Sequence, residues 1–175
     1  TSLCRPFMAQ HVAFDRTLNN ETGQLPKLFP EDVPGNVGYS VQLNGPAPFF
    51  AIATATLPDL VVGGAGNPAA FFGRWRYEVS APDSLLSTAA DGPTRVSNLN
   101  PVGLRRFRKS LGEDITDDDV FAYVYGVLHS ADFRATFAVN LKKEAPRVPL
   151  VTDRADFDAF VAAGRELLDL HVGYE

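Results

Sequence analysis

Cysteine, methionine and tryptophan each occur once in this sequence, and lysine only at positions 27, 109, 142 and 143. A single cysteine, Cys4, excludes an internal disulfide and a zinc site built on cysteine pairs, and suits the cytoplasm. No apolar run approaches the roughly 18–20 residues of a membrane span, so no membrane partner is expected. The first residues, Thr1-Ser2-Leu3-Cys4-Arg5-Pro6-Phe7, lack the charged and apolar regions of a signal peptide. They also lack an initiator methionine, which suggests an excised or processed piece.

Catalytic motifs are equally scarce. The dipeptide Gly-Lys never occurs, which removes the phosphate-cradling loop of P-loop proteins. Gly63-Gly64-Ala65-Gly66 reads instead as a turn between strands. A PD-(D/E)xK nuclease needs an acid two positions before a lysine, yet Leu25, Phe107, Asn140 and Leu141 stand there. Asn67-Pro68-Ala69-Ala70-Phe71 lacks the second proline of the loop with which adenine methyltransferases hold a flipped base. His11, His129 and His171 have no paired ligand at metal spacing, and His129 reads as a cap or a packed side chain. The triplet Asp117-Asp118-Asp119 fits the first turn of a helix, where the dipole stabilises each carboxylate by roughly 0.3–1 kcal/mol. No metal site and no cofactor site are expected in this chain.

What is present is an ordinary globular composition, 45% hydrophobic and 21% charged over 175 residues, enough for one domain or two small subdomains sharing a core. The pattern predicts an α+β fold that divides near residue 95: a β-rich, mostly antiparallel part over 1–95 and a helical part over 96–175. Glycine and proline punctuate short apolar runs in the first part, which predict strands at 11–15, 37–43, 49–56 and 71–79, with 49–56 central. Arg74-Trp75-Arg76-Tyr77 alternates cations with rings, which puts both guanidinium groups on one outward face. Helix signals dominate the second part. Asn100-Pro101 starts a helix that Gly112 ends, and Thr116 with Asp119 forms a capping box. Ser130 caps a third helix, with Phe133, Phe137 and Leu141 on one face. Pro146 and Pro149 enforce an extended break before a last helix from about Asp153 to His171.

The net charge of −5 is the wrong sign for bulk electrostatic binding to nucleic acid. Its distribution says more than its sum. Arg105, Arg106, Arg108 and Lys109 cluster, and Glu113, Asp114, Asp117, Asp118 and Asp119 follow at once.

Several segments carry a resemblance. Arg5-Pro6-Phe7 is followed by Phe14-Asp15 and Leu18-Asn19-Asn20, then by Leu28-Phe29-Pro30 with Asn36, then by Leu57-Pro58-Asp59-Leu60. The most specific stretch runs from Ile115-Thr116-Asp117-Asp118-Asp119-Val120-Phe121-Ala122-Tyr123-Val124-Tyr125-Gly126 to Leu141-Lys142-Lys143-Glu144-Ala145-Pro146-Arg147. Ala163-Gly164-Arg165-Glu166-Leu167-Leu168 closes the pattern. In this order the segments resemble the C-terminal specificity region of Type ISP restriction–modification enzymes. One departure is Ala70-Phe71-Phe72-Gly73, where that family often has a Cys-Phe-Pro-like element.

The resemblance implies a non-catalytic target-recognition domain in a single polypeptide that also carries a nuclease, an ATP-driven translocase and an adenine methyltransferase. Its partners are then double-stranded DNA and the methyltransferase domain. S-adenosylmethionine, ATP and Mg²⁺ serve the other parts. Arginine's fork matches guanine, so the candidate DNA contacts are Arg74, Arg76, Arg105, Arg106, Arg108 and Lys109. Two other readings remain open. One is a module that docks on the methyltransferase through Phe121, Tyr123 and Tyr125. The other is an unrelated small enzyme with a site assembled from scattered residues.

Overall fold

The computed structural model describes residues 1–14, 19, 22–30, 33, 35–59, 62–78 and 93–174. Asp15, Leu18, Asn20, Leu60 and Val79, which enter the expected strands or the family pattern, lie outside the described residues. The fold is α+β, with short strands first and helices after. β1 (Ser2–Arg5) and β2 (Met8–Gln10) form an antiparallel hairpin whose turn is Pro6-Phe7, Phe7 sitting at φ 57. A single turn, α1 (Leu25–Leu28), carries Pro26 at its second position, where the fixed φ suits a helical first turn. β3 (Gly38–Gln42) is the middle strand of an antiparallel sheet, between β4 (Ala51–Thr54) and β6 (Ala69–Gly73). β5 (Leu57–Pro58) adds to β1 in parallel. β7 (Trp75–Glu78) and β8 (Thr94–Ser97) make a separate two-stranded ribbon.

Five helices follow: α2 (Pro101–Leu111), α3 (Asp117–His129), α4 (Ala131–Thr136), α5 (Ala138–Leu141) and α6 (Arg154–Val172). Their starts are fixed locally. Asn100 accepts from the Val102 amide, Thr116 and Asp119 make a reciprocal capping box, Ser130 caps α4, and Asp153 accepts from two amides of α6.

Several expectations need correction. Residues 11–14 form no strand. Residues 49–56 supply an edge strand, β4, rather than the central one. The expected strand 71–79 breaks at Arg74, where the chain leaves one sheet and enters the ribbon. The expected third helix is two short ones, because the backbone leaves helical geometry at Phe137. β1, β2, β5, β8 and α1 have no counterpart among the expected elements.

The helix α3 is the hub of the main core, with buried residues on nearly every side, from Val120 through Tyr123 and Tyr125 to Leu128. Toward the sheet, Tyr125 stacks on Tyr39 with ring centroids 5.1 Å apart. Toward α6, Tyr123 stacks on Phe157 at 5.0 Å, and Phe107 of α2 meets Tyr123 edge-on at 5.4 Å. Fully burying such side chains contributes roughly 1.5–3 kcal/mol each, so this three-way packing joins strands and helices in one core. The docking surface expected from Phe121, Tyr123 and Tyr125 is therefore absent as such: both tyrosines are fully buried, and Phe121 packs against Tyr39 at 4.6 Å.

Among the described residues, the outer edge of β4 is closed by side chains instead of a further strand. The Ala53 amide donates to Tyr125 Oη at 2.8 Å, and the Ala51 carbonyl lies 3.1 Å from His129 Nε2. Burial pushes the Tyr125 hydroxyl well above the ordinary tyrosine range and holds His129 and His171 below the ordinary histidine value. Tyr125→Phe strands the buried Ala53 N–H, so a loss of about 1–3 kcal/mol is expected in equilibrium urea unfolding. A loss below about 0.5 kcal/mol would mean that water replaces the hydroxyl.

Candidate nucleic-acid interface

The ribbon is anchored by two asparagines and one arginine. Buried Asn36 donates to the Leu28 carbonyl at 2.7 Å and to the Trp75 carbonyl at 2.8 Å, while its own carbonyl accepts from the Trp75 amide at 3.2 Å. One side chain thus imitates a neighbouring strand and ties α1 to the start of β7. Asn98 donates to the Gly73 carbonyl at 3.0 Å from the other side. Between them Arg74 turns inward. It is 6% exposed, ion-paired through Nε with Asp118 in the first turn of α3, and 3.3 Å from Ser97 Oγ. The expectation that Arg74 and Arg76 share an outward face fails at Arg74, because strand parity restarts where the chain changes sheets. Arg76 does point outward, 52% exposed and paired with Glu78 at 2.9 Å.

An open groove of about 780 Å³ separates the ribbon from α1 and is lined in part by Gln24, Lys27, Arg76, Glu78 and Asn98. A further cation, Arg95 of β8, lies exposed with its guanidinium carbon 4.3 Å from the centroid of the Trp75 ring. The sequence reading missed Arg95 because it placed a boundary near residue 95. The alternation Thr94-Arg95-Val96-Ser97 was the available strand signal.

Three residues separate α2 from β8. The inner side of α2 carries Leu104, Phe107 and Leu111, and also Arg108, whose Nε donates to the Ile115 carbonyl at 2.8 Å. Arg108 is therefore partly buried and tied to the loop before α3. Val102, Arg105, Arg106 and Lys109 recur at helical spacing along the exposed side. From residue 93 to 112 the chain holds Arg95, Arg105, Arg106, Arg108 and Lys109 and no acidic residue.

Three of the five acids that follow pair with arginines outside α2. Asp114 takes a two-pronged pair from Arg154, at 3.0 and 2.8 Å, and that guanidinium holds its carboxyl below the usual range. Asp118 pairs with Arg74, and Asp119 with Arg165 at 2.5 Å. Among the described residues no three His, Cys, Asp or Glu side chains converge as a metal site. The cations outside the ribbon and α2 include Arg5, Lys142, Lys143 and Arg147, all exposed, with Arg147 paired to Glu144 at 2.9 Å.

The family model for the Type ISP C-terminal specificity domain matches residues 1–175. Among solved structures, the cryo-electron-microscopy complex of DrdV with DNA superposes with a TM-score of 0.81 at 31% identity, covering 99% of this chain and 16% of that one. A nuclease-deletion mutant of the Type ISP enzyme LlaGI, in complex with a DNA substrate mimic, gives 0.73 at 30% identity, covering 99% and 11%. The ATP-dependent Type ISP enzyme LlaBIII bound to DNA gives 0.81 at 23% identity, which speaks for the fold alone. This chain thus corresponds to less than one fifth of the DrdV and LlaGI chains. No curated protein sequence matches it.

Proposed function

This chain belongs to the Type ISP C-terminal specificity domains, and from that membership we propose that it is the DNA-recognition part of a larger restriction–modification polypeptide. In this reading it selects a site on double-stranded DNA, and an attached adenine methyltransferase, translocase and nuclease act there. The domain itself specifies and does not catalyse. It works in the cytoplasm; no helix of the described residues is long and apolar enough to cross a membrane. S-adenosylmethionine, ATP and Mg²⁺ belong to the other parts. Here Gly63-Gly64-Ala65-Gly66 is a turn with no lysine beside it, and no carboxylate cluster among the described residues offers a metal its ligands.

The observation that carries this reading is the acid-free stretch 93–112, which displays Arg95 on the ribbon and Arg105, Arg106 and Lys109 on the exposed side of α2. Phosphate contacts supply most of the affinity of such a domain, and each one releases counterions. A surface can do this under a net charge of −5 because it holds no acid of its own, and Asp114, Asp118 and Asp119 nearby pair with other arginines. Arg105, Arg106 and Lys109 take the phosphates, and Arg76 lies beside the groove. Arg74 and Arg108 hold the frame and do not reach the duplex.

Replacing Arg105, Arg106 and Lys109 together by alanine is expected to weaken binding to cognate and non-cognate duplexes alike. The slope of log K against log salt should fall by about 2–3, close to 0.9 for each phosphate that is no longer neutralised. Fluorescence anisotropy across a salt series measures both. An unchanged slope would remove α2 from the interface.

A further inference from the structure

We infer that Arg95 reads a guanine in the bound duplex and that Trp75 is the positioning residue that holds it for that task. The inference rests on the DNA-recognition reading above and names a contact within it. Trp75 lies between two guanidinium groups, with the carbon of Arg74 at 3.8 Å and that of Arg95 at 4.3 Å from its ring centroid. Both are too close for the two planar groups to share one side of the indole. One guanidinium is buried and fixed by Asp118, and the other is exposed. A chain of contacts therefore runs from the first turn of α3 through Arg74 and Trp75 to Arg95 at the surface.

Stacking occupies the faces of a guanidinium and leaves its N–H edge free, and that edge forms the fork that matches guanine O6 and N7. An exposed arginine normally loses much side-chain freedom when it is fixed in a complex, whereas Arg95 is already held. The ribbon's register, Tyr77 opposite Arg95 and Trp75 opposite Ser97, puts Trp75, Tyr77 and Arg95 on one face, on which Tyr77 is buried and Arg95 remains exposed. A two-stranded ribbon is also an element that the major groove admits. Arg76, on the opposite face, would have to release Glu78 first. Among the described residues Arg95 makes no ion pair with a carboxylate.

The test is sequence selection from a randomised duplex pool with the intact polypeptide. The variants are Arg95→Lys, Arg95→Ala, Trp75→Phe and Trp75→Leu, with a thermal melt to identify any that do not fold. Arg95→Lys keeps the charge and loses the fork. It should relax the preference at a single G·C pair by roughly ten- to a hundred-fold while leaving the other positions and the salt slope unchanged. Arg95→Ala should relax the same position. Trp75→Leu should do so too, because it removes the stacking partner, and Trp75→Phe should retain most of the preference. Uniform weakening at every site by Arg95→Ala, or unaltered selection by either Arg95 variant, overturns the inference and leaves the recognition domain standing. A wild-type polypeptide that enriches no sequence removes the recognition reading itself. If the leucine variant does not fold, the Arg95 variants still decide.

Discussion

Gly164→Ala is expected to destabilise the fold by about 3 kcal/mol, at the upper end of what overpacking does. The helices α3 and α6 approach so closely that backbone meets backbone. A Cβ added at Gly164 would stand 1.9 Å from the Ala122 carbonyl oxygen and 3.0 Å from the Gly126 nitrogen. One added at Gly126 would stand 2.4 Å from the Phe160 carbonyl oxygen. A flexible side chain could yield to a methyl group, but these obstacles are helical backbone, so the helices themselves would have to separate. That would loosen the stack of Tyr123 on Phe157. Gly103 in α2 is the control, since a Cβ there meets nothing within 4 Å. Gly103→Ala should therefore gain the helix-propensity difference, about 0.8–1 kcal/mol. Equilibrium urea unfolding should give the two variants opposite signs. A Gly164→Ala protein as stable as wild type would show that the two backbones are not in contact at the crossing.

The second large effect is an asymmetry at the Arg74–Asp118 pair. Asp118→Ala should cost about 2–3 kcal/mol, because it leaves a buried guanidinium without its carboxylate. The figure lies below that for fully buried pairs because Asp118 is itself 64% exposed, so water reaches the pair from that side. Arg74→Met keeps much of the apolar stem and leaves behind only an exposed carboxylate at a helix N-terminus, where the dipole favours it. It should cost about 1 kcal/mol. Both changes should impair DNA binding, since Arg74 also supports the Trp75 ring. Equal or reversed losses in paired denaturation curves would mean that the guanidinium is not confined between Asp118 and the indole.

Local chemistry made the helical part legible. Asn100, Thr116 with Asp119, Ser130 and Asp153 each cap a helix through atoms no more than three residues away, so their function is written in the neighbouring sequence. The stop at Gly112 follows from its φ of 129, which other residues rarely adopt. The strand part was legible only where a strand stays in one sheet. Residues 37–43 gave β3, whereas 71–79 read as one strand because hydrophobic alternation carries no mark of a change of sheet. Arg74 was misplaced for the same reason: its orientation was extrapolated through a break in parity.

The candidate site divides along the same line. Sequence alone located the cluster on α2 and set Arg105, Arg106 and Lys109 at helical spacing, because that pattern depends only on helix geometry. It could not separate Arg108 from them, since the Ile115 carbonyl that holds Arg108 comes from the loop beyond the helix. Nor could it pair Arg74 with Asp118, 44 residues away, or bring Arg95 over Trp75 across the ribbon. The sequence by itself determined the fold class, the starts of the four capped helices and the family resemblance, which rest on short-range periodicity, capping and residue pattern. Only the tertiary structure decided which arginines are frame and which are surface. An arginine carries the same charge in either role, and its burial depends on where distant parts of the chain place a carboxylate or a ring.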